Sequence, residues 1–140
     1  MSKLIYVDTN VYLDLFEDRQ DKFRSFGEVS RQLFRRALDC EFRFVISPIV
    51  LREIKDNNYE KDFFFLLDDL KKADKILRTY FSYSDKAYAS QLKILRKTPF
   101  QDTCHAVIAA RMKVEYLVTR NVKDYYNLSD IVTVISPDYL

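Results

Sequence analysis

The sequence predicts a three-layer α/β domain built on a mainly parallel sheet of four or five strands. Three observations predict it. Short runs rich in β-branched and aromatic residues recur at 4–7, 42–47, 116–119 and 131–135. Stretches with helical apolar spacing separate them. The chain also holds a single glycine, Gly27, which leaves little for hairpins and few tight left-handed turns, and suits helical crossovers.

The elements follow in order. The run LIYV at 4–7 stops at Asp8 and reads as a buried parallel strand. Asp8, Thr9 and Asn10 are three good helix caps in succession, and Val11, Leu13, Leu15 and Phe16 open a first helix. From 23 to 42, Phe26, Val29, Leu33, Phe34, Ala37 and Leu38 mark an amphipathic helix of about five turns. FRFVIS at 42–47 is the second strand, and Pro48 suits the first turn of the helix that carries Glu53. Residues 59–80 are richly apolar. Three consecutive phenylalanines, Phe63, Phe64 and Phe65, cannot share one helix face, so this segment is either buried on several sides or makes a subunit contact. A helix starting at Ser84 or Asp85 runs to Arg96, and Pro99 ends it. The helix over 101–113 contains Ala106, Ala109 and Ala110, small enough for close packing. YLVT at 116–119 is the third strand, 120–126 a polar loop, and 131–135 the fourth strand, closed by Ser136 and Pro137.

The 140 residues, 48% apolar and 31% charged, fit one soluble domain spanning 1–140. A net charge of +2 is far from the basic excess of a protein that coats DNA, so a nucleic-acid ligand needs a local patch. Cys40 and Cys104 lack metal-ligand spacing and read as reduced, buried thiols. The apolar run in the first residues is too short for a signal peptide, and no run approaches a membrane span. The expected location is the cytoplasm, with no membrane partner.

Acids stand where an α/β fold gathers them. Asp8 ends the first strand, Glu53 lies about one turn into the helix after the second, and Asp102 starts the helix that feeds the third. Asn121 and Asp124 follow the third strand. Parallel strands open all of these toward one sheet edge, the edge where such folds bind ligands. Clustered carboxylates repel, and a divalent cation relieves that repulsion. Oxygen donors select Mg²⁺ or Mn²⁺, and the chemistry that uses such a set is phosphoryl transfer. Singly, Asp8 or Asp102 is better read as a helix cap; the case is their joint placement.

The local contexts resemble the PIN-domain ribonucleases, in particular the VapC-type toxins of toxin–antitoxin pairs. IYVDTNVYLDLF carries the first acid after a strand. Ser47-Pro48 leading to Arg52-Glu53-Ile54 matches the second. DTCHAVIAARM from Asp102 matches the third, and LVTRNVKDYY at 117–126 matches the last motif. The resemblance spans nearly the whole chain in order. It implies a PIN-like α/β/α fold, Mg²⁺ or Mn²⁺ bound by Asp8, Asp102 and Glu53, cleavage of RNA within the chain, and an antitoxin partner. A homodimer is the expected assembly. Many relatives carry a fourth acid where this chain has Asn121. Either Asn121 is a neutral ligand with Asp124 restoring charge, or one ion is held by Asp8, Asp102 and, directly or through water, Glu53.

Other residues support the set. Thr9 and Asn10 orient Asp8 or a metal-bound water, or cap the helix, and Thr119 bonds an acid or simply ends its strand. His105, one turn after Asp102, is a general base, a phosphate contact or a packed histidine at the site rim. Arg52, Arg120 and Lys123 flank the acids and are candidate phosphate contacts, extended by Arg96 and Lys97. Arg35 and Arg36 read as solvated surface. Tyr125 and Tyr126 stack bases or pack the loop. An enzyme and a PIN-like RNA- or protein-binding adaptor of weak or lost activity are the two function classes; Asn121 favours the second and the three acids the first. A receiver or haloacid-dehalogenase phosphatase fits poorly, since Asp8-Thr9-Asn10 supplies neither an acidic pair nor Asp-x-Asp.

Overall fold

Five parallel strands form one sheet, in the order β3-β2-β1-β4-β5. The computed structural model describes residues 2–20, 25–39 and 41–140. Strand β1 (Lys3–Val7) runs into helix α1 (Thr9–Glu17), then α2 (Phe26–Leu38) and β2 (Phe42–Ile46). Helices α3 (Pro48–Asp56) and α4 (Glu60–Lys72) lead to β3 (Ile76–Arg78). Helices α5 (Tyr83–Arg96) and α6 (Phe100–Arg111) return the chain to β4 (Tyr116–Val118), and β5 (Val134–Ile135) closes the sheet. Every pairing is parallel, with Ile5 opposite Phe44 on one side and Tyr116 on the other. The α/β class and parallel sheet expected from the sequence are therefore the ones found.

The strand order reverses direction at β1. Connections from β1 to β2 to β3 step outward, and the connection from β3 to β4 steps back across β1. Right-handed crossovers of opposite sense place their helices on opposite faces, so loops splay apart between β1 and β4. Asp8 and Thr119, the residues that follow these two strands, stand at that opening.

Local chemistry sets the helix ends. Ser47 accepts from the Val50 amide and Pro48 occupies the first turn of α3. Ser82 and Asp85 form a reciprocal capping box at the start of α5. The second helix is shorter than expected. Ser25 caps it by accepting from the Glu28 amide, and it ends at Leu38; part of the expected start and Cys40 lie outside the described residues. The segment 59–80 divides into α4 and an edge strand, β3, that three residues are too few to announce by alternation. The expected loop at 120–126 is mostly a 3₁₀ turn, Val122–Leu128.

The sparse glycine does not limit left-handed backbone as expected. Asp18, Asn58, Asp74, Lys97 and Lys113 all have φ between 49 and 65°, and each follows a helix. Gly27 instead serves close approach. A Cβ there would lie 2.8 Å from Asp18 Cα at the end of α1.

The core between sheet and helices is strongly aromatic. Tyr12 stands edge-on to Phe63, with centroids 4.9 Å apart, and stacks on Phe34 at 5.3 Å. Of the three successive phenylalanines, Phe63 is buried, whereas Phe64 and Phe65 are 50% and 77% exposed. The segment is thus not buried on several sides.

Candidate active site

Asp8 is the N-cap residue of α1 by position, yet its side chain makes no capping bond. Its Oδ2 accepts from Thr119 Oγ1 at 2.9 Å, from Tyr125 Oη at 3.0 Å and from Asn10 Nδ2 at 3.4 Å. The three donors come from β4's end, the 3₁₀ turn and α1. They fix the carboxylate through one oxygen and leave Oδ1 without a close hydrogen bond, 3.6 Å from His105 Nε2. Thr119 also accepts from Asn10 Nδ2 at 3.1 Å and from the Asn121 amide at 3.2 Å. Thr9 likewise gives up capping: its hydroxyl donates to Glu53 Oε1 at 3.1 Å.

Glu53 projects from α3, and its Oε1 also accepts from His105 Nε2 at 2.5 Å. Asp102 lies in the first turn of α6, whose N-cap position is Pro99, with no side-chain cap. Like Asp8, it is not spent on capping. Burial and then the Asp8 charge push its pKa up to about 6; His105 opposes them, and the charges of Asp124 and Glu53 add smaller upward pushes. Four acids from four parts of the chain therefore share one electrostatic neighbourhood.

Oxygen donors with excess negative charge are the chemistry a hard divalent cation requires. Among the described residues, no three His, Cys, Asp or Glu side chains converge on a single point. Asp8 and Asp102 fit as direct ligands, because Mg²⁺ is commonly held by one or two carboxylates and keeps several waters. Glu53, tied to His105 and Thr9, fits as a partner of such a water.

Several expectations require correction. His105 is 1% exposed and lies inside the site, so its imidazole does not present itself to an RNA phosphate. Burial alone would push its pKa down; the carboxylates of Asp8, Glu53 and Asp102 outweigh this and raise it. Arg120 turns to α1, donating from Nε to the buried Asp14 at 2.8 Å, and covers the Phe26 ring at 4.7 Å. Its guanidinium is engaged there, on a carboxylate that Arg19 shares at 3.5 Å. Arg96 holds Asp130 and the Asn127 carbonyl. Arg36 holds Glu41 and the Leu140 carbonyl, so it is more than solvated surface. Tyr125 is fully buried, so it cannot stack on a base, whereas Tyr126 is exposed. Arg52, Lys97, Lys123, Asn121 and Asp124 remain exposed. Cys104 is a free, buried thiol, and burial pushes it up to about 11.

Three participants escaped the sequence reading: Tyr6, Ser47 as a hydrogen-bonding partner, and Tyr125 as the clamp on Asp8. One signal existed. Tyr6 and Asp8 are two residues apart at the end of a strand, so they lean to the same face, and a buried tyrosine hydroxyl needs a partner.

Comparison with known proteins agrees with this architecture. The chain is similar in structure to the toxin–antitoxin complex from Klebsiella pneumoniae, with a TM-score of 0.64 and 22% identity over 95% of this chain and 97% of that one. It is similar to VapBC2 from Rickettsia felis, solved bound to a DNA fragment from its promoter, with a TM-score of 0.64 and 15% identity over 95% and 98%. It is also similar to FitAcB from Neisseria gonorrhoeae, with a TM-score of 0.64 and 17% identity over 97% and 99%. No curated protein sequence matches it. The family profile described as PIN domain matches residues 5–123, a span that takes in Asp8, Glu53, Asp102 and Asn121, and the chain belongs to the PIN domain family.

Proposed function

We propose that residues 1–140 act as one PIN domain that hydrolyses RNA phosphodiester bonds with Mg²⁺ or Mn²⁺, and that the protein is the toxin of a toxin–antitoxin pair. The observation that carries the reading is the gathering of Asp8, Glu53, Asp102 and Asp124 from four parts of the fold, whose charges add to burial in raising the pKa of Asp102. Family membership supports the nuclease class. The toxin assignment is supported by likeness to the Klebsiella pneumoniae toxin–antitoxin complex and to VapBC2.

In this reading Asp8 and Asp102 hold one cation. When bound, such a cation supplies positive charge to the phosphate and makes its water a better nucleophile. Thr119, Tyr125 and Asn10 fix Asp8 by one oxygen, so the other is aimed without reorganisation. Glu53 orients the attacking water and takes its proton at Oε2, while Thr9 and His105 hold Oε1. The P–O bond to the leaving ribose oxygen breaks as the water oxygen attacks, and that oxygen takes a proton from solvent to leave as a hydroxyl. Arg52 and Lys123, exposed beside the acids, bind flanking phosphates. Asn121 brings no charge, so a second cation site is weak, with Asp124 its nearest acid.

Phe64 and Phe65 offer apolar surface for a second copy in a homodimer or for an antitoxin. No helix among the described residues is long and apolar enough to cross a membrane; a cytoplasmic place of action is part of the toxin reading. A PIN-like RNA- or protein-binding adaptor is the alternative, favoured by Asn121 and by the lack of three converged ligands among the described residues.

The deciding experiment incubates purified protein with a mixed RNA pool and Mn²⁺ or Mg²⁺, with chelator and Asp8→Asn as controls. Cutting that stops on chelation, returns with metal and is abolished in Asp8→Asn supports the enzyme. RNA left intact under both metals, with Asp8→Asn binding RNA and partners equally well, selects the adaptor.

A further inference from the structure

We propose that His105 is a positioning residue that holds Glu53 in place as the water-orienting group and keeps it from closing on the cation as a third ligand. The inference rests on the hydrolytic reading above. A continuous hydrogen-bonded chain carries it. Ser47 Oγ lies 2.6 Å from Tyr6 Oη, Tyr6 Oη 2.5 Å from His105 Nδ1, and His105 Nε2 2.5 Å from Glu53 Oε1. With a neutral imidazole each hydroxyl proton has one destination: Ser47 donates to Tyr6, Tyr6 to Nδ1, and Nε2–H to the carboxylate. With a charged imidazole the first two bonds reverse, yet Nε2–H still donates to Glu53. The direction of the last bond does not depend on protonation.

The chain also closes on itself. Ser47 is the cap of α3, accepting from the Val50 amide at 3.3 Å, and α3 carries Glu53. The loop Ser47–Tyr6–His105–Glu53–α3 ties β1, α3 and α6 into one ring. His105 Nε2 lies 3.6 Å from Asp8 Oδ1, too far for a good hydrogen bond, so the imidazole stands between the two acids and bonds to one. Tyr6, its neighbour edge-on at 5.4 Å, and His105 are both essentially inaccessible to solvent. A leucine would fill such a place at less desolvation cost. What the imidazole adds is two directed nitrogens.

The test uses the full chain and free Mn²⁺ as the probe, with kcat and KM on RNA measured in parallel. For His105→Leu, kcat is expected to fall about 10–100-fold while Mn²⁺ binds at least as tightly as in the wild type. KM for RNA should stay within about twofold. His105→Gln, whose amide can reach Glu53, should recover most of kcat. His105→Asn, which can reach Tyr6 alone, should fold yet turn over like the leucine variant, and it replaces that variant if leucine prevents folding. In a Glu53→Ala background His105→Leu should cost no more than about twofold further, because it acts through Glu53. Mn²⁺ binding that weakens in step with kcat overturns the proposal, as do equal losses in the glutamine and asparagine variants or additive losses in the double variant. If the wild type binds Mn²⁺ but cuts no RNA, the hydrolytic reading fails by itself. The Mn²⁺ affinities then decide the positioning role: unchanged or tighter in His105→Leu supports it, weaker overturns it. A wild type that binds no Mn²⁺ overturns both.

Discussion

Removing one acid should stabilise the metal-free protein. Asp102 has its pKa raised from 3.8 to about 6, by burial first and then by Asp8, Asp124 and Glu53. A raised acid pKa means that the folded state prefers the protonated form. The penalty is therefore absent below about pH 4, grows as pH rises to about 6, and is full above that. At 1.36 kcal/mol per pH unit the ceiling is about 3 kcal/mol. Asp102 is only partly buried, and solvent screening reduces this to about 1.5 kcal/mol. The carboxylate also stands in the first turn of α6, where its charge favours the helix by about 0.5 kcal/mol, and asparagine loses that. Asp102→Asn should thus gain about 1 kcal/mol at pH 7.5, a Tm rise of about 3 °C for a chain of this size. The difference between variant and wild type should vanish near pH 4. Mn²⁺ should raise the wild-type Tm more than that of the variant, since the cation and the substitution remove the same repulsion. Thermal unfolding at pH 4 and 7.5, with chelator or Mn²⁺, measures all four values. An Asp102→Asn protein no more stable than wild type without metal at pH 7.5, and shifted equally by Mn²⁺, would refute the reasoning.

Other outcomes follow from the same contacts. Tyr125→Phe removes a bond to the Asp8 carboxylate and should cost about 1–2 kcal/mol in chemical denaturation. Arg120→Ala leaves Asp14 buried without its close partner and should destabilise by about 2–4 kcal/mol, while Arg52→Ala and Lys123→Ala leave stability alone and each lower the salt slope of RNA binding by about one; a filter-binding salt series beside denaturation curves separates the two effects. Phe63→Ala should cost about 3–5 kcal/mol, and Phe65→Ala within about 0.5 kcal/mol, unless Phe65 lies in a dimer interface, which sedimentation of Phe65→Lys detects as dissociation. Lys113→Gly relieves a left-handed residue after α6 and should gain about 0.5–1 kcal/mol in Tm measurements.

Much of the architecture was legible because it is written locally. The β-branched runs, the cap at Ser47, the polar stop at Asp8, and proline at the start of α3 specify strands that end in polar residues, and a parallel sheet then brings those ends to one edge. The positions of Asp8 after β1, Glu53 in the helix after β2 and Asp102 at the start of the helix before β4 were the ground for expecting them at that edge. What β3 does was not legible, since three residues on a sheet edge carry no period, and its pairing is decided by β2. The left-handed residues after α1, α3, α4, α5 and α6 were not legible either, since none of them is a glycine.

At the level of single side chains the sequence left two readings open for Asp8, Thr9 and His105, and tertiary structure chose between them. A cap bond needs a partner three residues away, which any sequence reading sees. The bonds actually made join Asp8 to Thr119 and Tyr125, Thr9 to Glu53, and His105 to Tyr6 and Glu53, across 44 to 117 residues. Such partners are fixed only when the crossover between β3 and β4 passes behind β1 and lays α6 against α3. The sequence placed these acids after strands and at helix starts; the fold decided which oxygen of Asp8 and of Glu53 is held, and that the only histidine would be sealed among them.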